Sequence, residues 1–304
     1  MPTPDISDST LGEQLLNRLV FRIGTRYNRS KHEIDRLDGA LPAQANESWN
    51  QFLWSAGIRY NRNARLSVYS NIGASFRAPS LKSVGGTIPL SDRGAEGVSG
   101  HLPNPDLDPE SGVSVDLGAN CAVTDGLSLG VRGFLIHLDD QIVQNVVNDL
   151  QSQDINAGRT RTWGAEAEIS HDLAAWCQWR ANYTLTRTEI DNDVDPDQDG
   201  AEVNFVPQHM GNVGADLLLP GGLAASISVQ LSSSINESVS RSAPRGIDGH
   251  ELVNARIEKL FAHADGREVR LYLEPYNITN NDFRMPWGFK DTGFSATGGL
   301  TVSF

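Results

Sequence analysis

Apolar and polar side chains take turns through most of this chain. Val113, Val115, Leu117 and Ala119 alternate with Ser114, Asp116, Gly118 and Asn120, and Trp163, Ala165, Ala167 and Ile169 alternate with Gly164, Glu166, Glu168 and Ser170. The same period of two runs through Leu19 to Tyr27, Phe52 to Tyr60, Leu66 to Gly73, Trp179 to Thr186 and Leu223 to Gln230. Successive side chains of a strand point to opposite faces, so this pattern predicts strands with one apolar and one polar face. About twelve such strands can be counted by this template. The stretch Phe134 to Leu138 departs from it, being apolar on both faces.

The connections sort by length. Short turns are expected at 61–64, 123–126, 171–176, 220–222 and 262–266, and long polar ones at 30–50, 77–110, 140–158, 187–205, 233–249 and 277–293. A transmembrane barrel has short turns at one end and long loops at the other, whereas a soluble sandwich has no reason to sort them.

The charges support the same reading. Arg22, Asp116, Glu166, Glu168, Arg180, Arg256, Glu258 and Glu274 all fall on polar faces. In a dry core each would cost several kcal/mol, while a wet lumen solvates them. The opposite faces belong against lipid, where an open sheet edge leaves unsatisfied amides, so closure is required. Trp49, Tyr60, Trp176, Trp179 and Tyr276 lie near strand ends, where interface girdles form. No run approaches the roughly 20 apolar residues of a spanning helix. The expectation is an all-β, antiparallel transmembrane barrel over residues 17–304, preceded by a separate segment, 1–16.

A formal net charge of -13 argues against a nucleic-acid partner, which needs a basic face. Two cysteines, Cys121 and Cys177, are too few for a disulfide framework, and they fall on strands not expected to pair. No nucleophile elbow, zinc-binding helix motif or phosphate loop occurs, so an enzyme is not expected. Asp195, Asp197 and Asp199, followed by Gly200, match the start of a calcium loop. The twelfth position is Val206 rather than a bidentate Glu, so weak extracellular calcium stands beside a plain acidic loop tip. The first residues lack the basic and apolar regions of an export signal, so the chain is expected to be part of a longer precursor.

Several motifs appear in order. Ser75-Phe76-Arg77-Ala78-Pro79-Ser80-Leu81 closes one strand, and Asn104-Pro105-Asp106-Leu107-Asp108-Pro109-Glu110 opens the next. Asn156-Ala157-Gly158, Trp163-Gly164-Ala165-Glu166-Ala167-Glu168, Ala181-Asn182-Tyr183-Thr184, Pro207-Gln208-His209 and Tyr276-Asn277-Ile278-Thr279-Asn280-Asn281 follow. The prolines cannot donate ladder hydrogen bonds, so they end strands where loops begin. Arg77 is placed to pair with Glu110. The last strand alternates Ala296, Gly298, Leu300 and Val302 and finishes on Phe304.

Taken together, residues 50 to 304 resemble the TonB-dependent receptors of Gram-negative outer membranes. That resemblance implies the C-terminal part of a barrel of about twenty-two strands, within the range such barrels span. It implies import of a scarce metal chelate such as a ferric siderophore, haem or cobalamin. It also implies a lipid surround, recognition of the Phe304 strand by the barrel-assembly machinery, and contact with TonB through a plug and box not recognisable here. Haem receptors carry a His between the two boxes, and His101 lies there, though close to Asn104. A twelve-stranded autotransporter-type barrel also ends in Phe, but needs a pore-threading helix for which 13–18 is too short. A soluble all-β binding domain is the other alternative, and would not depend on detergent.

Overall fold

The computed structural model describes residues 18–34, 45–148, 150–242, 245–262, 268–285 and 289–303. Twelve long strands form one antiparallel meander: β1 (Leu19–Ile34), β2 (Ala45–Asn61), β3 (Leu66–Arg77), β5 (Glu110–Ala122), β6 (Leu127–Asn148), β7 (Gln151–Ala174), β8 (Cys177–Asn192), β9 (His209–Leu219), β10 (Leu223–Ser232), β13 (His250–Ala262), β14 (Glu268–Tyr276) and β15 (Ser295–Ser303). Three short strands lie in the loops. β4 (Gly100–Leu102) pairs in parallel with β7, while β11 (Ile235–Asn236) and β12 (Gly246–Ile247) pair with each other. The meander is open: β1 and β15 each pair on one side only among the described residues.

Register fixes two faces across the sheet. One row runs Ile23, Ala56, Ile72, Val115, Leu135 and Trp163, and its members oppose one another from strand to strand. Phe21, Ile23, Phe52, Leu117, Val131 and Leu300 on this face are exposed. Water does not tolerate so continuous an apolar surface on a monomer; lipid does. Facing the other way, Asp116 opposes Asn71, Arg132 opposes Glu166, and Ser226 opposes both Asp216 and Arg256. The apolar core is correspondingly thin, and its most buried members, Val84, Leu102 and Leu107, belong to a loop rather than to the meander.

Aromatic residues settle over glycines on the polar face. Tyr69 opposes Gly118, Phe134 opposes Gly164 and Tyr272 opposes Gly299. A Cβ on Gly118 or Gly299 would lie 2.4 Å from the facing tyrosine ring. An arginine stands over each ring: Arg59 over Tyr69, Arg132 over Phe134 and Arg256 over Tyr272. Phe134 is thus an inward aromatic seated on Gly164, which accounts for part of the stretch that is apolar on both faces.

Three sequence expectations need correction. Residues 140–158 are not a long loop: β6 and β7 run on as a hairpin of 22 and 24 residues. Register shifts between Leu138 and Gln141, and a left-handed Asp140 (φ 56), break the alternation. A bulge of this kind swaps faces, so a strict period-two template reads the segment as loop. The 77–110 connection is also structured, holding β4 and a short helix, α1 (Leu81–Gly85). Finally, Trp49 and Tyr276 do not join a lipid girdle. They oppose Ser30 and Ser295 on the inward face and bond to loops.

Candidate functional site

The two boxes of the 77–110 connection come together as a clasp on the projecting β6–β7 hairpin. Arg77 donates to the buried Glu110 carboxylate at 2.5 Å, and the same oxygen accepts from the Ile142 backbone at 2.9 Å. Pro79 is buried, and the Ser80 hydroxyl caps α1 by accepting from Ser83 N at 3.1 Å. Asn104 donates from its backbone to Ser83 O and from its side chain to Asp154 O at 2.9 Å. Asn156 grips the other box twice, accepting from Asp108 N at 2.8 Å and donating to Asp108 O at 2.9 Å; it also donates to Asp140 O at 2.7 Å. Leu107 is buried, and its carbonyl accepts from the Trp49 indole. Pro105, Asp106 and Pro109 shape the return of the chain into β5.

Two glutamines that sequence reasoning missed hold the middle of the loop. Gln151 donates to Asp92 O and Val98 O and accepts from Gly94 N; Gln153 donates to Pro103 O and accepts from Arg93. The spacing Gln151, Gln153 on one strand face was the available signal. Gly86 has φ 66, and a Cβ there would lie 2.6 Å from Pro103 N, so the turn after α1 requires glycine.

His101 is 4% exposed inside this clasp. Gln144 donates to Ser152 Oγ, which leaves the Ser152 hydroxyl proton for His101 Nδ1 at 3.1 Å. The neutral ring then carries its proton on Nε2, 3.4 Å from Asp154. Burial lowers the His101 pKa and nearby Lys82 adds to this, against the opposing pull of Asp154. Nδ1 is engaged by β7, while the buried Nε2 faces Asp154 without a close hydrogen bond.

The three carboxylates of the calcium-like run serve their own loop. Asp195 accepts from Asp197 N and Gln198, Asp197 accepts from Ser240 and Ser242, and Asp199 accepts weakly from Asn192 N. Among the described residues no group of three His, Cys, Asp or Glu is placed to hold a metal. Cys121 and Cys177 are free. Phe304 and segment 1–16 lie outside the described residues.

At the long-loop end a second construction surrounds a hollow of about 900 Å³ lined by Phe205, Arg245, Ile247, Phe283, Arg284 and Lys290, among others. One wall is the 277–294 loop, latched at its base. Asn277, fully buried with φ 48, donates to Asn281 O and to Asp291; Asp291 also accepts from Tyr276 at 2.7 Å and from Gly293 N at 2.9 Å. His250 stacks flat on Phe283 at 4.1 Å, fixing the other flank. An open hollow bearing both charges and aromatic rings, beside a polar inner wall, suits capture of a solute rather than covalent chemistry.

Comparison with known proteins decides the family. A model described as TonB dependent receptor-like, beta-barrel matches residues 13–278. The chain belongs to the TonB-dependent receptor β-barrel family. Family members are receptors of the Gram-negative outer membrane, and this chain is accordingly an outer-membrane barrel segment. It is 26% identical over 262 residues to the ferric-pyoverdine M114 receptor PbuA of Pseudomonas sp. (strain M114), covering 80% of this chain and 29% of that receptor. The siderophore receptor PiuA from Acinetobacter baumannii superposes with a TM-score of 0.70 at 14% identity, over 94% of this chain and 40% of PiuA. The ferric yersiniabactin uptake receptor FyuA from Yersinia pestis does so with a TM-score of 0.66 at 17% identity, over 95% of this chain and 44% of FyuA. These two likenesses establish the barrel fold. The chain spans less than half the length of each of these proteins, and the open meander fits a partial TonB-dependent barrel.

Proposed function

We propose that this chain is the C-terminal barrel portion of a receptor that imports a ferric siderophore across the outer membrane. The supporting observation is the two-faced meander, apolar outside and charged inside, crowned at its long-loop end by the latched hollow. The ferric-pyoverdine receptor among its relatives points to the siderophore class. TonB engages such a receptor through parts outside this barrel portion. The barrel-assembly machinery reads the alternating strand that ends at Phe304, and the 195–200 run serves as an acidic loop tip, with weak calcium as its alternative reading.

The test is growth and uptake of radioactive iron in a strain lacking its own ferric-pyoverdine receptor. The gene containing this region should restore TonB-dependent uptake from at least one ferric siderophore. Residues 1–304 alone, given an export signal, should insert without restoring it. Failure of the gene across hydroxamate, catecholate and carboxylate siderophores overturns the substrate class. TonB-dependent uptake by residues 1–304 alone overturns the assignment as a barrel portion.

A further inference from the structure

Toward the long loops, the apolar outward face of the sheet ends in a run of basic residues. Leu135, Trp163, Leu185 and Gly211 close the apolar band on β6, β7, β8 and β9. Two residues further along each strand, on the same face, stand His137, Arg161, Arg187 and His209. On β10 and β13 the same edge carries Ser233 and Glu251. Arg187 opposes Trp163 across the strands, and Arg161 follows that tryptophan on the same face of β7. The two arginines are therefore diagonal neighbours, rooted about 7–8 Å apart. Both are exposed, and neither is in an ion pair with a carboxylate among the described residues. The nearby acids are engaged elsewhere: Asp139 with His137 at 3.2 Å, Asp191 and Asp193 with Arg159 at 3.9 and 3.7 Å. Glu189 opposes Arg161 on the side away from the apolar band, without closing an ion pair.

Beside this edge lies a groove of about 510 Å³ lined by Tyr183, His209, Gly211, Leu231 and Glu251, among others. Gly211, between Tyr183 and Leu231 in register, opens its floor; an added Cβ there would meet nothing nearer than 3.8 Å. Gln208, with its amide turned to satisfy both ends, accepts from the Arg187 guanidinium and donates to His209 Nε2 at 3.2 Å. His209 then carries its proton on Nδ1 and donates it to the Tyr183 oxygen at 2.7 Å. The Tyr183 hydroxyl proton is left over at the groove for an acceptor from outside.

We propose that this edge of β7 to β10 seats a membrane lipid whose headgroup carries a phosphate. The phosphate lies between Arg161 and Arg187, and one acyl chain follows the groove over Gly211 toward Leu231. A guanidinium matches a phosphate through two parallel N–H bonds. The groove continues the apolar band, so the chain never leaves an apolar surround, and the spare Tyr183 proton suits an ester carbonyl. Glu251 at the far end repels phosphate and so fixes which way round the lipid lies. Basic side chains at a membrane edge attract anionic lipid in general; the groove makes this a seat for one molecule. The inference rests on which face of the sheet meets the membrane, not on the imported solute, so failure of siderophore uptake leaves it untouched.

The test is native mass spectrometry of the receptor encoded by the gene containing this region, released from maltoside micelles loaded with phosphatidate. Diacylglycerol is the phosphate-free twin of this probe, and inorganic phosphate the chain-free one. Phosphatidate is expected to remain bound as a discrete adduct, and diacylglycerol to be lost. Arg161→Gln combined with Arg187→Gln should weaken retention about tenfold, the scale of losing a hydrogen bond to a charged group. Gly211→Leu, which fills the groove from a position with room for a side chain, should weaken it severalfold with both arginines intact. Heat-modifiable gel mobility confirms folding of each variant, and either one alone is decisive. Undiminished phosphatidate retention by a folded variant overturns the proposal. Equal retention of diacylglycerol overturns it in favour of a general apolar surface, and displacement of phosphatidate by inorganic phosphate overturns it in favour of a free-anion site.

Discussion

Asn156 shows how much one side chain can fasten. It closes three hydrogen bonds that join the second box, the bulged β6 strand and β7. Replacing it with Ala hands the exposed Asp108 and Asp140 backbone groups to water, at about 0.5–1.5 kcal/mol per bond lost. Asn156→Ala should therefore raise amide exchange across 100–110 without unfolding the meander, as hydrogen–deuterium exchange would show. Gly118 and Gly299 make the opposite point, since each must be absent of a side chain for its tyrosine to lie flat. Gly118→Val should cost roughly 1–3 kcal/mol by overpacking and lower the temperature of the heat-modifiable gel shift. Gly133, where an added Cβ meets nothing nearer than 3.9 Å, should tolerate Ala with little change.

At the level of elements, two loops are held by titratable groups that lose their stabilisation in different acid ranges. His101 has a lowered pKa, chiefly from burial. The open clasp therefore takes up a proton first as pH falls past about 6.5, the ordinary imidazole value. Stability from the neutral ring is present above that pH and lost below it, so exchange in 86–104 should rise between pH 7 and pH 5. Asp291 behaves otherwise. Burial pushes its pKa up, but bonds from Tyr276, Asn277, Gly293 and Thr292 outweigh that and leave it lowered. Its stabilisation is present above about pH 4 and is lost only as pH falls further, so the 277–294 loop should stay protected at pH 5. An equal loosening of both loops at pH 5 would refute this distinction. The strands themselves were legible because lipid and lumen impose alternation directly on residue type. The clasp was not. Its partners are polar side chains, Gln151, Gln153 and Asn156, reaching loop backbone, and backbone acceptors carry no sequence signature. The bulge near Asp140 hid the hairpin that supports it, and the inward turn of Trp49 and Tyr276 followed from register rather than from residue type.

For the whole molecule, the exposed apolar face predicts dependence on an amphiphile. Expressed without detergent the chain should collect in inclusion bodies and refold only into micelles, with β-rich circular dichroism; a monodisperse detergent-free monomer would contradict the lipid-facing assignment. The order of pairing has a further consequence, in time. Almost every long strand pairs with its neighbour in sequence, so hairpins can form one after another as the chain becomes available, with little loop entropy to overcome. The clasp breaks that schedule, as do the bonds from Ser240 and Ser242 back to Asp197. Gln153 reaches back 50 residues to Pro103, and Asn156 reaches back 48 to Asp108. The segment bearing both boxes must therefore wait for its β7 anchors through the delivery of two whole strands. A chain arrested before β7 should carry β1, β2, β3 and β5 in their final pairing with this segment still open to protease, which makes its closure a natural timestamp for how far assembly has advanced.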